Sequence, residues 1–417
     1  MSKNAASDKQ NADNGVARIY LDHAAMAPTD ERVLRAMLPY YDAAYANPSS
    51  LHESGRRAAA AVARSRARVA AILGARPEEI IFTGSGTESD NLAILGAARS
   101  RPISFGARGK HLMISAIEHK AVLEPAHALL TEGFSVETIS VDEDGLVDID
   151  DIMSRITPET TLISVMYANN EIGTIEPIRE LAAALRERRG AGHFPLLHTD
   201  ACQAAGFLPL NVDELGVDLM TLNGSKIYGP RGVGILYARS GTPLSSVILG
   251  GEQEHGLRAG TENLPAIVGF AEALEIAERE REEESARLSA LRDYFIAEIL
   301  KALPNAKLNG HKEKRLPNNA SITVPLIEGE SMLLMLDTFG IEASTGSACS
   351  SSDLTPSHVL LAIGQDPDSA HGSLRFSFGR KTTKAELDRV LHVLPGIVNR
   401  LEHISALTTT ATTKINI

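Results

Sequence analysis

Between about residues 55 and 240, short apolar runs rich in Ile, Leu and Val alternate with longer alanine-rich or amphipathic runs, and this pattern restricts the fold more than any other feature. Residues 58–73, 88–98, 121–130 and 178–188 have helical spacing. Around them lie strand-like runs at 80–82, 112–117, 136–140, 161–167, 196–199, 218–222 and 233–237. Strands that are apolar throughout and separated by helices need cover on both faces, so the spacing predicts a large, mostly parallel sheet between helix layers. Ligands of such sheets gather beyond the carboxyl ends of the strands. His119, Asp200 and Lys226 all follow such ends.

The pattern then changes. Residues 271–303 read as one long helix with Leu288, Leu291, Phe295 and Ile299 on a single stripe, followed by strands at 320–324 and 374–378 and helices at 329–339 and 385–394. The expected class is α/β, with a large domain over 35–275 and a smaller α+β domain from 18–34 and 276–405. Polar residues 1–17 and the Thr-rich stretch 406–417 read as disordered or flexible tails. A length of 417 residues agrees with two domains.

Composition removes several function classes. A net charge of −12 argues against nucleic acid as a partner. No apolar run approaches the roughly 18 residues of a membrane span, and residues 1–17 lack the apolar core of a signal peptide. Two cysteines build neither a disulfide framework nor a zinc site, so no intrinsic metal is expected and the setting reads as cytoplasmic.

Five segments carry residues suited to chemistry. Lys226 lies in Asn223-Gly-Ser-Lys-Ile-Tyr-Gly-Pro230 with no other charge within four positions, a setting in which an amine loses its proton easily and acts as a nucleophile. Asp200 ends the strand-like run before it, and a lysine with an aspartate is the pair that pyridoxal phosphate (PLP) requires. The segment Thr83-Gly-Ser-Gly-Thr-Glu-Ser-Asp90 follows a strand and opens a helix, and reads equally as a phosphate site or a capping box. Cys349 sits in a run of Ser, Thr and Gly, where a thiol can be exposed and reactive, whereas Cys202 beside Asp200 reads as packing. Arg375 alternates with core residues Leu374 and Phe376, so it shares the opposite face with Ser377 and can hold a carboxylate by two parallel hydrogen bonds.

With these segments assembled, the chain resembles the cysteine desulfurases of the Nif/Isc type, in the class V aminotransferase branch of PLP enzymes of fold type I. The resemblance is carried by Tyr20-Leu-Asp-His-Ala-Ala25, Asn47-Pro-Ser-Ser-Leu-His52, Thr87-Glu-Ser-Asp-Asn91, Glu118-His-Lys-Ala-Val122, Asn169-Asn-Glu-Ile-Gly173, His198-Thr-Asp-Ala-Cys-Gln203, Lys226-Ile-Tyr-Gly-Pro230, Arg258-Ala-Gly-Thr261, Gly346-Ser-Ala-Cys-Ser350 and Arg375-Phe-Ser377, in family order. It implies that Lys226 holds PLP as a Schiff base, Asp200 pairs with the pyridine nitrogen and His119 stacks on the ring. It implies a phosphate site at Gly86, Thr87, Asn223 and Ser225, with Thr261 supplied by a second subunit of a homodimer. Asn170 and Gln203 are implied to contact the ring and its phenolic oxygen, and Asn47 and Arg375 to bind the carboxylate of L-cysteine. Cys349 is implied to take the sulfur as a persulfide, leaving alanine, for an acceptor or scaffold protein in iron-sulfur cluster assembly or thiolation, and to ligate a nascent cluster in passing.

Departures from the family pattern are also legible. Ser225 stands where the family has His, Asn223 where it has Ser, and Ala25-Met-Ala-Pro28 where it has Ala-Thr-Thr-Pro. The C-terminal tail does not resemble the family's scaffold-docking segment. The alternatives are a selenocysteine lyase or another class V lyase, an aminotransferase that needs no Cys349, and a sulfur-relay scaffold without catalysis.

Overall fold

A computed structural model describes residues 18–100, 109–190, 192–346 and 355–413, with side chains described to residue 404. Cys349 lies outside the described residues. The strands are β1 (Ile19–Tyr20), β2 (Ile80–Thr83), β3 (His111–Ser115), β4 (Ser135–Ile139), β5 (Thr160–Ser164), β6 (Leu196–Asp200), β7 (Leu219–Asn223), β8 (Gly234–Ala238), β9 (Lys307–Leu308), β10 (Asn319–Thr323), β11 (Ile341–Glu342) and β12 (Ser373–Ser377).

Seven strands form one sheet in the order β2-β8-β7-β6-β5-β3-β4. Every pairing among β4, β3, β5, β6 and β7 is parallel, and β8 runs antiparallel to both neighbours. Alternation divides its side chains between two cores. Leu197, Met220, Leu222, Ile235 and Tyr237 enter one core, under the helices Glu53–Leu73 and Leu264–Ala302. Leu196, Leu219 and Leu236 enter the other, with residues of the helices Gly86–Arg99 and Lys120–Ala128. Each such buried side chain contributes ~1.5–3 kcal/mol, enough to fix the register, because a one-residue slip would exchange the two faces.

A three-stranded sheet, β12-β10-β9, packs with the far end of helix Leu264–Ala302 in a third core. There Phe295 meets Phe376 and Phe378 edge to face, at centroid distances of 5.1 and 5.7 Å. β1 pairs in parallel with β11, which brings the first described residues beside this unit.

The expected elements recur with shifted ends. The long helix starts at Leu264, where Asn263 accepts from Ala266 N–H as its N-cap, earlier than the stripe of large residues suggests. The short helices that were not expected include Glu31–Met37 and Ile149–Arg155, each opened by an aspartate cap, Asp30 or Asp148. The last helix, Lys384–Thr413, continues past Pro395 into the stretch from 406 expected to be a flexible tail. No helix among the described residues is long and apolar enough to cross a membrane.

Candidate active site

A cavity of about 360 Å³ opens beyond the carboxyl ends of the parallel strands, within the usual range for a small-molecule site. Gly86, Thr87, His119, Asn170, Asp200, Gln203, Asn223, Lys226 and Arg375 all line it. Residues drawn from nine positions across the sequence are thus gathered in one place. Ser225, Thr261 and Asn47 are not among its lining residues: Ser225 is buried behind Asn223, and Thr261 and Asn47 are exposed.

Lys226 follows β7 through the single turn Gly224–Lys226, capped by Asn223, whose Oδ1 accepts from both the N–H and the hydroxyl of Ser225. The Ser225 hydroxyl hydrogen is therefore directed to Asn223. Lys226 Nζ donates to the carbonyls of Ala24 and Ala25, at 2.8 and 2.6 Å. The chain then turns at Tyr228 with φ 60°, a left-handed conformation unusual outside glycine. The Tyr228 hydroxyl accepts from Arg380 N–H, and the Arg380 guanidinium lies 4.3 Å from its ring centre, which holds that turn.

Asp200 is the last residue of β6, and its Oδ1 accepts from Cys202 N–H at 2.9 Å. Cys202 is buried in the wall, and burial pushes its thiol well above the ordinary range, as suits packing rather than nucleophilic chemistry. His119 caps the helix Lys120–Ala128, Nδ1 accepting from Ala121 N–H, and this sets the plane of the ring.

The helix Gly86–Arg99 starts at the cavity, capped by Ser85. Its first N–H groups have no intrahelical acceptors and suit an anion. Close packing keeps this start open. A Cβ on Gly86 would lie 3.0 Å from Cys202 Sγ and 3.2 Å from Asn223 Cβ, and one on Gly234 would lie 2.6 Å from the carbonyl carbon of Ser85.

Arg375 is buried on β12, and its partners are Asp22 Oδ1 to Nη2 at 2.8 Å and Asn170 O to Nη1 at 3.0 Å. Its Nε–H is buried without a hydrogen-bond partner, a donor free for a ligand carboxylate.

Four buried acids escaped the sequence reading, and three of them line the cavity. Glu118 accepts from Ser115 Oγ and Met166 N–H, with Oε2 unpartnered, and burial pushes it up to about 8. Glu171 accepts from Ser357 Oγ, and burial pushes it up to about 7. Asp90 is raised well above the carboxylate range, by burial first and then by Asp200. His198, behind them, is lowered to about 4 by burial, so it is neutral 3.6 Å from Asp90. Glu176, outside the cavity, is raised to about 8 by burial. The signal for Asp90 was available: it lies three and four positions from Thr87 and Gly86, on the same helix face.

Comparisons with known proteins agree with this arrangement. The family model described as aminotransferase class-V matches residues 19–390. The cysteine desulfurase IscS of Dictyoglomus turgidum is 48% identical over 387 residues, covering 93% of this chain and 96% of that protein. The cysteine desulfurase IscS 1 of Archaeoglobus fulgidus is 46% identical over 388 residues, covering 93% and 99%. Among solved structures, a NifS-like protein superposes with a TM-score of 0.85 at 36% identity, covering 92% of this chain and all of its own.

Proposed function

Because the chain belongs to the class V aminotransferase family, as a cysteine desulfurase of the Nif/Isc type, we propose that this cavity binds L-cysteine and yields L-alanine, with the sulfur passing to Cys349 as a persulfide. The observation that carries the reading is the convergence of Lys226, Asp200, His119 and Arg375 on one cavity.

The enzyme is PLP-dependent, and the residues present fit PLP. An amine, a strand-end carboxylate, a flat ring and a helix start kept open by Gly86 face one space. When bound, PLP supplies an electron sink that acidifies the substrate's Cα–H. Lys226 would hold it and afterwards move the proton at Cα, Asp200 would keep its ring nitrogen protonated, and the Gly86–Thr87 helix start with Asn223 would hold its phosphate. Arg375 would take the substrate carboxylate with its free Nε–H, orienting the thiol group. The Cys349 thiolate would form an S–S bond to the substrate sulfur as the Cβ–S bond breaks.

A homodimer belongs to the same reading. Thr261 is exposed and off the cavity lining, and Leu38, Tyr41, Tyr45, Leu51 and Leu249 are large exposed apolar side chains. A second copy that covered such surface would remove it from water and could present its own Thr261. Asn47, whose Oδ1 accepts from Ser49 N–H, would have to turn to reach substrate. The sulfur then goes to an acceptor protein for cluster assembly or thiolation. Cys349 must be a free thiol to take the sulfur, and a reducing compartment keeps thiols free, which favours the cytoplasm.

The test is product balance. Purified protein given L-cysteine and dithiothreitol should release alanine and sulfide in equal amounts. Alanine without sulfide, or keto acid in place of alanine, would overturn the reading.

A further inference from the structure

The helix start that faces the cavity carries an acid in its own first turn. Glu88 lies two positions after Gly86, its N–H donates to the cap Ser85 Oγ, and it is not among the cavity's lining residues. In a capping box this carboxylate would return to the N–H of the cap residue itself. Here Oε2 accepts instead from Gly84 N–H at 2.9 Å, one residue further back. A Cβ on Gly84 would lie 2.6 Å from the same oxygen, so glycine is what admits the carboxylate.

The positive end of the helix dipole favours an acid in the first turn, and it favours a phosphate equally. Two anions at one helix start repel each other unless a cation lies beside them. Arg258 is that cation: its Nε donates to Glu88 Oε1 at 2.8 Å, with the two side chains 24% and 21% exposed. Water and salt therefore screen this pair less than a surface pair.

The chain before Arg258 fixes the guanidinium there. Glu254 and His255 take left-handed φ values of 48° and 59°, which cost free energy outside glycine. Glu254 is buried, and its two oxygens accept from the Arg66 guanidinium at 2.6 and 2.7 Å. Its Oε2 also accepts from Phe82 N–H on the free edge of β2, the outermost strand, in place of a strand neighbour. The segment is closed around Arg258 by Gly260 N–H, which donates to Gln253 Oε1 at 3.1 Å.

We propose that Arg258 is a positioning residue for the cofactor phosphate: it holds the Glu88 carboxylate against Gly84 and cancels its charge, so that the Gly86–Thr87 helix start keeps its attraction for the phosphate. This rests on the reading of that helix start as the phosphate site. Arg258 acts through Glu88, and that gives the proposal its signature. Without the arginine, the Glu88 charge is left to oppose the phosphate. Without both charges, the opposition is gone.

The measurement is the dissociation constant of PLP, and of pyridoxal, the same ring without the phosphate, followed by visible absorbance. Wild type is compared with Arg258→Met, Glu88→Gln and the double variant. Arg258→Met should bind PLP about tenfold more weakly, with pyridoxal within about twofold of wild type. Glu88→Gln keeps an oxygen for Gly84 N–H and leaves the arginine's charge, so it should bind PLP at least as tightly as wild type. The double variant should recover to within about threefold of wild type. A role confined to folding, or to placing Thr261 three residues on, predicts no such recovery. A double variant as weak as Arg258→Met, or equal losses of PLP and pyridoxal in Arg258→Met, would overturn the proposal. If Arg258→Met does not fold, Glu88→Gln decides, and weaker PLP binding by it would be the contrary result. Wild type that binds pyridoxal as tightly as PLP defeats the phosphate reading and this proposal with it. Wild type that prefers PLP, with Arg258→Met unchanged, defeats this proposal alone.

Discussion

Asp22 and Arg375 are joined across 353 positions of sequence by a 2.8 Å contact from Nη2 to Oδ1, inside the wall of the cavity. The pair holds the guanidinium plane and leaves Nε–H without a protein partner. The chain just after β1 therefore delivers the carboxylate that orients the arginine.

Replacing Arg375 by Ala should remove a charge-assisted carboxylate contact, at a cost of roughly 2–4 kcal/mol in substrate binding. That is ~30-fold to ~1000-fold in half-saturation for cysteine, with the PLP absorbance retained. Steady-state kinetics beside a visible spectrum would decide. Unchanged half-saturation would remove Arg375 from the substrate site.

Two lysines line the cavity, Lys226 and Lys120, and the proposed function assigns the covalent anchor to Lys226. Borohydride reduction of the yellow protein should fix PLP onto the peptide that contains Lys226. Label on Lys120 would reverse the assignment.

Ser225 gives its hydroxyl hydrogen to Asn223 rather than to the cavity. A Ser225→His variant would add a side chain able to carry positive charge near the proposed phosphate site. PLP should leave the wild type faster than Ser225→His on dialysis, followed by loss of visible absorbance. Equal or slower loss from the wild type would show that this position does not govern phosphate retention.

Glu176 is buried away from the cavity, with Oε2 accepting from Val147 N–H and Oε1 unpartnered. Burial raises its carboxyl from 4.5 to about 8, so the folded chain holds this proton more tightly than the unfolded chain does. The stabilising contribution is complete below about 4.5 and is lost as pH rises through about 8. Glu176→Gln keeps the shape without the charge, and should gain on the order of 1–3 kcal/mol over the wild type at about pH 9 relative to about pH 5. Urea unfolding at the two pH values measures this. A difference that does not change with pH would mean that Glu176 is ionised in the fold.

How much was legible beforehand depended on the kind of signal. The alternation in β6, β7 and β8 assigned Leu197, Met220 and Ile235 to one face and Leu196, Leu219 and Leu236 to the other, because period-two burial is written in residue type. The cavity residues were legible for a different reason: the motifs around Lys226, Asp200 and His119 sit at strand ends, where such sheets bind ligands. Contacts to backbone atoms were not legible. The carbonyls of Ala24 and Ala25 take the Lys226 amine, yet nothing in their side chains announces it. Burial of Glu118 and Glu171 was equally hidden, since acidic residues are ordinarily solvated and their partners Ser115, Met166 and Ser357 come from separate elements. The Asp22–Arg375 pair has no local signature at all.

The central claim is that sulfur leaves cysteine only by passing to the Cys349 thiolate. A thiol is partly ionised near neutral pH to a soft, strongly nucleophilic thiolate, and a serine hydroxyl is not. The other thiol, Cys202, is buried beside Asp200 with its ionisation suppressed. Single-turnover desulfuration of L-cysteine by PLP-loaded Cys349→Ser, with persulfide followed by mass spectrometry and sulfide released by dithiothreitol, therefore tests the account most directly. The variant should still shift its visible spectrum on binding cysteine, yet form no persulfide and release sulfide at under about one hundredth of the wild-type rate. Near-normal sulfide release from Cys349→Ser would contradict the account and identify a lyase that uses no protein thiol.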